Sequence, residues 1–170
     1  MKLYITPGGM TASRTKDFLQ PARERFGFDQ SIVITSCDCI IPLYNALKKD
    51  SVNILALNNP LFGQEEYMST IRKVVCIIIN MQPAPEEIII NSSGGTEKLS
   101  SIIKDLAVVL AAKFKVTRVF GMYDKTLRTP IFTEVPQIDP DKEMLLALDT
   151  VAKLKEVTNG CSVDIHKDQR

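Results

Sequence analysis

The sequence predicts an α/β protein built on a doubly wound, mainly parallel sheet. Short β-branched or aliphatic runs alternate along the chain with longer amphipathic segments, as in parallel strands joined by crossover helices. Two glycine-containing turns each follow a predicted strand and precede a predicted helix, which places both turns at the carboxyl edge of the sheet. The predicted strands cover residues 2–6, 31–35, 52–57, 88–90 and 117–122.

The predicted helices carry apolar residues at steps of three and four. They cover residues 13–26, 38–49, 64–82 and 99–114. Gly27 is expected to end the first helix, and Pro21 is expected to kink or shorten it. Pro42 lies in the first turn of the second helix, where proline is tolerated, and Pro83 ends the third.

The last part of the chain predicts an edge hairpin and a C-terminal helix. Two short extended pieces, at about 125–128 and 131–135, flank a threonine-proline pair and are expected to pair at a sheet edge, where proline is allowed. A final helix is predicted from about 141 to 157, before a polar tail. The predicted division is a Rossmann-like domain over residues 1–137 and a C-terminal helix and tail over 138–170.

Composition excludes several function classes. Lysine and arginine number 21 and aspartate and glutamate 20, so no basic surface is expected and direct duplex DNA binding is not predicted. The chain shows no signal-peptide pattern, and its most apolar run, residues 74–79, is too short to span a bilayer. We therefore expect a soluble, cytoplasmic protein without a membrane partner.

The cysteines and the single histidine do not suggest a metal or a triad. The four cysteines form no C-x-x-C pair, and His166 lies in the polar tail. We expect four reduced thiols, no metal site, no cofactor and no Ser–His–Asp triad.

The second glycine turn, Asn91-Ser92-Ser93-Gly94-Gly95-Thr96, suits an anion. Two glycines let main-chain amides approach a ligand, and the following helix start adds unpaired N–H donors with partial positive charge. The alternative is that Thr96, or Ser93 before it, simply caps the helix.

The first turn has a similar character, and a third loop lies at the same edge. Gly8, Gly9, Thr11 and Ser13 follow the first strand, and Ser13 is a candidate cap of the first helix. Asn58 follows the third strand, so three loops converge on one predicted pocket.

Neither of the two common nucleotide-binding motifs, G-x-G-x-x-G and G-x-x-x-x-G-K-[ST], is present in the sequence. Hydroxyls, amides and glycine backbone, with Lys16 and Lys98 within reach, suit a ligand with several phosphates and polar base edges.

The second turn resembles the motif of CARF domains, the CRISPR-associated Rossmann-fold family. In this sequence it reads Ile90-Asn91-Ser92-Ser93-Gly94-Gly95-Thr96, and the first turn, Thr6-Pro7-Gly8-Gly9 with Thr11 and Ser13, is similar to the other binding loop of that family. The resemblance extends over residues 1–137. It implies a homodimer that binds cyclic oligoadenylates, the ring-shaped messengers of type III CRISPR defence, with cyclic tetra-adenylate as the expected ligand.

By that resemblance, both turns line the ligand pocket. The residues implied are Gly8, Gly9, Thr11, Ser13, Ser92, Ser93, Gly94, Gly95 and Thr96. The sequence departs from the family after the second turn, where members often carry lysine or arginine. Here the position is Glu97 and the lysine, Lys98, comes one residue later, a rotation of about 100° on a helix.

Two functional interpretations follow from the resemblance. The first is a stand-alone ring nuclease, which cleaves the messenger without a metal, with Ser13, Thr96 and Lys98 as candidates for holding the phosphate. The alternative role of these residues is a helix cap or a solvated lysine. The second interpretation is a non-catalytic sensor module of a CARF transcription regulator, because residues 141–148 resemble the opening helix of a winged-helix domain. A nucleotide-binding module unrelated to defence is a third.

Overall fold

The computed structural model describes residues 1–9, 11–48, 50, 52–57 and 64–136. Within these residues the chain forms six strands and four α-helices in an alternating order. The strands are β1 (Lys2–Pro7), β2 (Gln30–Ser36), β3 (Val52–Leu57), β4 (Glu87–Asn91), β5 (Lys115–Asp124) and β6 (Thr129–Glu134). The helices are α1 (Ala12–Phe26), α2 (Ile40–Leu47), α3 (Gln64–Ile79) and α4 (Glu97–Ala111).

The six strands form one sheet in the order β3-β2-β1-β4-β5-β6. The first five strands pair in parallel, and β6 pairs antiparallel with β5. The chain first moves outward from β1 to β3 and then returns to start again at β4, so the strand order reverses between β1 and β4. This confirms the predicted doubly wound, mainly parallel fold and fixes its topological switch point.

Two hydrophobic layers cover the two faces of the sheet. The alternation along β1 shows the division: Leu3 and Ile5 lie in the layer with α3 and α4, while Tyr4 lies in the layer with α1 and α2. In β4, Ile88 and Ile90 share the first layer and Ile89 the second. Burying each such side chain stabilises the fold by about 1.5–3 kcal/mol. The continuous apolar strands of the sequence are thus explained by burial on both faces.

The first helix runs through its proline. Pro21 lies inside α1, which continues without a break from Ala12 to Phe26. Gly27 ends the helix as predicted: it adopts a left-handed conformation, φ 62°, and its amide donates to the Arg23 carbonyl over 2.8 Å. The predicted shortening at Pro21 is therefore wrong.

The predicted hairpin exists, but its strands differ from the prediction. The first predicted piece, residues 125–128, is the turn, and the partner of β6 is the extended end of β5, where Asp124 pairs with Thr129. The Asp124 carboxylate accepts hydrogen bonds from the amides of Thr126 and Leu127, and Arg128 has φ 51°. These side chain to main chain hydrogen bonds favour a turn at residues 125–128 over the predicted strand. Pro130 lies in β6, at the sheet edge of the described residues, as predicted.

The hairpin extends beyond the carboxyl edge of the parallel strands. The pairing of β4 with β5 reaches Asn91 and Val119, and β5 runs on to Asp124, a further span of roughly 17 Å. Phe120 and Met122 are exposed on this extension, although both are large and apolar. The extension of β5 past the parallel strands therefore exposes two large apolar side chains.

Several smaller predictions can be compared with the structure. A 3-10 turn at Cys37–Cys39 occupies the start of the second predicted helix, and α3 ends at Ile79 rather than residue 82. Within the described part of the chain, Cys37, Cys39 and Cys76 form no disulfide, and no helix has the length and apolar character needed to cross a membrane. The predicted helix at 141–157, the tail and Cys161 lie outside the described residues.

Candidate functional site

The candidate site lies at the switch point, where the carboxyl ends of β1 and β4 are neighbours. The parallel pairing of these strands brings the turn after Pro7 and the turn after Asn91 to the same edge of the sheet. In open α/β sheets this is the usual position of a ligand. The predicted convergence of the first and second glycine turns is therefore realised in the structure.

The turn between β4 and α4, residues 92–96, is an exposed diglycine corner. Gly94 and Gly95 both have positive φ, 86° and 75°, a conformation that side chains other than glycine rarely adopt. Both glycines and Thr96 are exposed. Among the described residues, the amides of Gly94 and Gly95 donate no hydrogen bond. Those amides are therefore available to an acceptor from outside the chain.

The two glycine turns are in contact. A Cβ atom built on Gly95 would lie 3.0 Å from the Pro7 Cβ, and it would also meet Leu99 at 3.2 Å. The space between the corner and the end of β1 is thus tightly filled, and a side chain at position 95 would require Pro7 or Leu99 to shift by a few tenths of an ångström. The diglycine corner lies directly on the end of β1.

The start of α4 is capped by the residue that follows the two glycines. Thr96 is the N-cap, with extended backbone angles, and its Oγ1 accepts a hydrogen bond from the Leu99 amide over 3.3 Å. The capping alternative for Thr96 is therefore confirmed. Because a hydroxyl that accepts one hydrogen bond still carries a proton to donate, this role is compatible with a second one. Glu97 and Lys98 follow in the first turn, and both side chains are exposed.

A buried amide side chain, that of Asn91, connects the corner to the rest of the sheet. Asn91 is 1% exposed, and its Nδ2 donates to the Thr6 Oγ1 over 3.2 Å, joining β4 to β1. Its Oδ1 accepts from the Ser93 amide at 3.1 Å and from the Ser93 hydroxyl at 2.6 Å. The same oxygen accepts from the Gly121 amide of β5 at 3.2 Å. One side chain therefore joins three strands and the corner.

Ser92 and Ser93 complete the attachment of the corner to β5. The Ser92 amide donates to the Val119 carbonyl over 3.0 Å, and the Ser93 hydroxyl accepts from the Gly121 amide over 3.1 Å. On the other side, Ser100 of α4 donates its hydroxyl to the Ser92 carbonyl at 3.3 Å. Both serines are half-buried, so the structure places them beneath the exposed glycines rather than beside them.

Tyr4 lies beneath this network. Its hydroxyl is fully buried near Thr6 and Asn91 and makes no hydrogen bond of normal geometry within the described residues. Burial raises the pKa of Tyr4 well above its ordinary value, partly offset by the nearby side chains of Thr6 and Asn91. Its ring stacks on Phe28, with centroids 4.7 Å apart. The tyrosine is therefore neutral and part of the core.

The turn between β1 and α1 is built differently. Gly8 is buried, its amide donates to the Ile34 carbonyl over 2.7 Å, and its carbonyl accepts from the Thr35 hydroxyl over 2.9 Å. A Cβ on Gly8 would lie 2.7 Å from side-chain atoms of Leu43 and Val33. Both main-chain polar groups of Gly8 are therefore used inside the fold, and the glycine is required by packing.

The remaining predicted residues of this turn are closer to solvent. Gly9 is half-buried, and Thr11 and Ser13 are exposed. Thr11, not Ser13, is the N-cap residue of α1, and its side chain makes no capping hydrogen bond. The prediction that Ser13 caps the helix is wrong, because α1 begins at Ala12 and includes Ser13 in its first turn.

Two further predictions and one cleft concern the surroundings of the site. Asn58 lies outside the described residues. Within those residues no group of three or more histidine, cysteine, aspartate or glutamate side chains is placed to hold a metal ion. A cleft of about 360 Å³ is lined by Val116, Thr117, Arg118, Glu134, Val135 and Pro136. It includes no predicted site residue and lies beside the beginning of β5, so the candidate site is not there.

The fold is similar to that of Csm6. The solved structure in question is Enterococcus italicus Csm6, a CARF-domain protein, bound to cyclic hexa-2'-fluoro-hexa-dAMP. The likeness has a TM-score of 0.50 and a sequence identity of 14%, and it covers 92% of this chain and 40% of the Csm6 chain. This chain thus spans about two fifths of the Csm6 protein, and the likeness concerns the fold. No protein-family model matches the chain, and no curated protein matches it in sequence.

Sequence reasoning missed two residues of the site. Asn91 appears in the quoted motif but not among the predicted ligand-binding residues, and Gly121 was not singled out. The contacts of Asn91 with Thr6 and Gly121 join distant parts of the chain, so no local pattern shows them. The available signal is the amide residue at the last position of an otherwise apolar strand, two residues before a serine, which is typical of side chain to main chain turns.

Proposed function

We propose that this chain is a CARF domain that binds a cyclic oligoadenylate at the switch point. The observation that carries the proposal is the exposed diglycine corner, held directly against the end of β1, whose two glycine amides donate no hydrogen bond among the described residues. Such amides at a helix start bind phosphate without requiring a cation. The Csm6 fold, recorded with a ring nucleotide, supports this class of ligand.

The phosphates would contact the corner and the exposed first turn of α1. Amides of Gly94 and Gly95 and the Thr96 hydroxyl would donate to phosphate oxygens. Ser13, exposed in the first turn of α1, is the proposed donor on the other side. Gly8 contributes by shaping the turn, because its own amide is already paired with Ile34.

The exposed charges at the start of α4 oppose one another. Glu97 occupies the position after the corner, where a negative charge disfavours a bound anion, whereas the cation of Lys98 favours it. The corner therefore relies mainly on amides and hydroxyls, which are neutral donors. Affinity for the ring should accordingly depend less on salt than that of a lysine-rich site.

The finer proposal is that the bound ring is cleaved without a metal and that two copies of the chain form the complete pocket. A ribose 2'-oxygen attacks the adjacent phosphorus, the bond to the 5'-oxygen breaks, and the proton passes to that leaving oxygen. The product carries a cyclic 2',3'-phosphate. Ser13, Thr96 and Lys98 would hold the phosphate and stabilise its developing charge.

One experiment tests binding and cleavage together. The protein is incubated with labelled cyclic tetra-adenylate and, separately, cyclic hexa-adenylate, in buffer containing EDTA, and complex and products are resolved by gel shift and chromatography. Linear products ending in cyclic phosphate are expected. Tight binding of an intact ring would identify a sensor module and contradict the nuclease proposal. Absence of binding to either ring would contradict the proposed function itself.

A matched variant isolates the cleavage step. Lys98→Gln removes the cation beside the corner but keeps the helix position, and we expect slower cleavage of a ring that still binds. An unchanged cleavage rate would exclude a catalytic role for Lys98. Sedimentation of the complex at two protein concentrations reports whether one ring binds one chain or two.

A further inference from the structure

The diglycine corner has a fixing point on each side. On its carboxyl side, Thr96 caps the Leu99 amide. On its amino side, Ser93 is held through both its amide and its hydroxyl by the Asn91 side chain. Between these points lie Gly94 and Gly95, which have the greatest backbone freedom of any residue type. Whether their amides share one direction therefore depends on the two fixing points.

We propose that Asn91 is the positioning residue of the anion corner, an inference that rests on the proposed function. Its side-chain oxygen fixes Ser93, and thereby the direction in which the next amides face. Asn91 is buried, with 1% of its surface exposed, so it does not touch the ligand. It acts through the corner. Asn91 contributes to affinity by ordering the two glycines before the ligand binds. Without it, the entropy lost in ordering them would be subtracted from the binding free energy.

The Gly121 contact gives the corner a rigid support. The Gly121 amide donates to Asn91 Oδ1 at 3.2 Å and to the Ser93 hydroxyl at 3.1 Å, so it is shared between the two side chains. A Cβ on Gly121 would lie 2.8 Å from the Phe18 ring and 3.0 Å from the Phe132 ring. The support is thus packed tightly between α1 and β6. Because the Asn91 oxygen binds both Gly121 and Ser93, it holds Ser93 in a fixed position relative to this packed region.

The two ends of the Asn91 side chain allow positioning to be separated from stability. The amide nitrogen donates to Thr6 in β1 and does not contact the corner, whereas the oxygen holds Ser93 and Gly121. Asn91→Ala removes both ends. Thr6→Val keeps the shape of a buried side chain and removes the acceptor of the nitrogen, together with a long hydrogen bond, 3.5 Å, from the Thr6 hydroxyl to the Pro7 carbonyl. Each substitution leaves buried polar groups without partners, so both lower thermal stability.

The test compares these variants for affinity and melting temperature. Fluorescent cyclic tetra-adenylate and cyclic hexa-adenylate are titrated at 10 °C, and hydrogen exchange of the Ser93 and Gly121 amides is followed by NMR. In Asn91→Ala we expect faster exchange at both amides and affinity lower by about tenfold or more, because the glycines must be ordered on binding. In Thr6→Val we expect slow exchange at both amides and affinity within about twofold of the unaltered protein.

Two outcomes overturn the proposal. If Asn91→Ala melts at a lower temperature but binds as tightly as the unaltered protein, the residue is structural only. If Thr6→Val loses as much affinity as Asn91→Ala, general loosening explains both. Failure of the unaltered protein to bind either ring overturns the proposed function and this inference with it.

A second variant keeps the test available if Asn91→Ala does not fold. Asn91→Ser retains a small polar group at the buried position, but its oxygen is too close to the main chain to reach the Gly121 amide. We expect it to lose affinity to a similar extent and to show fast exchange at Gly121. Unchanged affinity together with fast exchange at Gly121 would show that the Asn91–Gly121 contact is not needed for binding, and it would overturn the proposal.

Discussion

The two glycine turns at the switch point look alike in sequence and differ in what the glycines do. In the first turn, Gly8 is buried and needed because Leu43 and Val33 occupy the space of a side chain. Its amide donates a hydrogen bond to the main chain of β2. In the second turn, Gly94 and Gly95 are exposed and needed for their positive φ. The first turn is therefore part of the packed fold, and the second presents its main chain to solvent.

This difference shows that a glycine pair after a strand has two physical meanings. One is close packing, in which the missing Cβ lets a helix approach the sheet. The other is backbone conformation, in which the missing Cβ permits a turn with positive φ. The cap residues follow the same division, because Thr96 makes a side-chain cap and Thr11 makes none.

The largest expected effect is a loss of stability when Gly8 is replaced. If that loss were absent, the distinction between a packed and an exposed glycine turn would not hold. Gly8→Ala places a methyl group 2.7 Å from Leu43 and Val33 and should lower the free energy of unfolding by up to about 3 kcal/mol. Urea denaturation monitored by circular dichroism measures the change. Gly9→Ala is the control, since apart from its chain neighbours no atom of the described residues lies within 4 Å of its Cβ position, and a change within about 0.5 kcal/mol is expected. Equal losses in both variants would contradict the packing explanation.

A smaller loss of unfolding free energy is expected at Gly95. Comparison with Gly94 separates the cost of a left-handed backbone from the cost of the close contact with Pro7. Gly95→Ala combines the left-handed backbone, φ 75°, with the 3.0 Å approach to Pro7, and we expect a loss of about 2 kcal/mol. Gly94→Ala has the cost of the left-handed backbone alone, because no atom of the described residues beyond its chain neighbours lies within 4 Å of its Cβ position, and about 1 kcal/mol is expected. Denaturation of the two variants side by side measures the difference. A Gly94 variant as unstable as the Gly95 variant would argue against a tight contact between the turns.

The smallest effect distinguishes the two helix caps. Thr96→Ala removes the hydroxyl that accepts from the Leu99 amide and should cost about 1 kcal/mol of unfolding free energy. Thr11→Ala removes a side chain without a capping hydrogen bond, so a change within about 0.5 kcal/mol is expected. Thermal melts of the two variants provide the measurement. If Thr11→Ala proved the more damaging, the assignment of a side-chain cap to Thr96 rather than to Thr11 would be wrong.

The sequence predicted the architecture because the deciding signals were local. The apolar runs that form β1 and β4 are buried on both faces, and Gly27 ends α1 by its own backbone preference. The alternation of strands and helices predicted a doubly wound sheet with both turns at its carboxyl edge, and the strand order of the structure then placed the switch point between β1 and β4. The location of both turns at one edge could therefore be predicted without any knowledge of side-chain contacts.

What could not be predicted depends on contacts between distant parts of the chain. Asn91 is important through Thr6 and Gly121, which belong to other strands. The packing role of Gly8 depends on Leu43, a residue of α2. The hairpin strands were misplaced for a local reason, since Asp124 captures two turn amides and shifts the turn to residues 125–128. Ligand contacts of the predicted site residues remain predictions, as does the homodimer.

The meeting of Pro7 and Gly95 limits how this family of chains can diverge. The two residues belong to different halves of the doubly wound sheet, yet they share one small volume. Asparagine is among the few residues that tolerate the backbone at position 95. A homologue that carried it there would need glycine in place of the proline, because the Pro7 atom that a Cβ at position 95 meets is its own Cβ, which alanine would keep. Positions 7 and 95 should thus covary in an alignment, and a double replacement should recover stability that the single replacement loses.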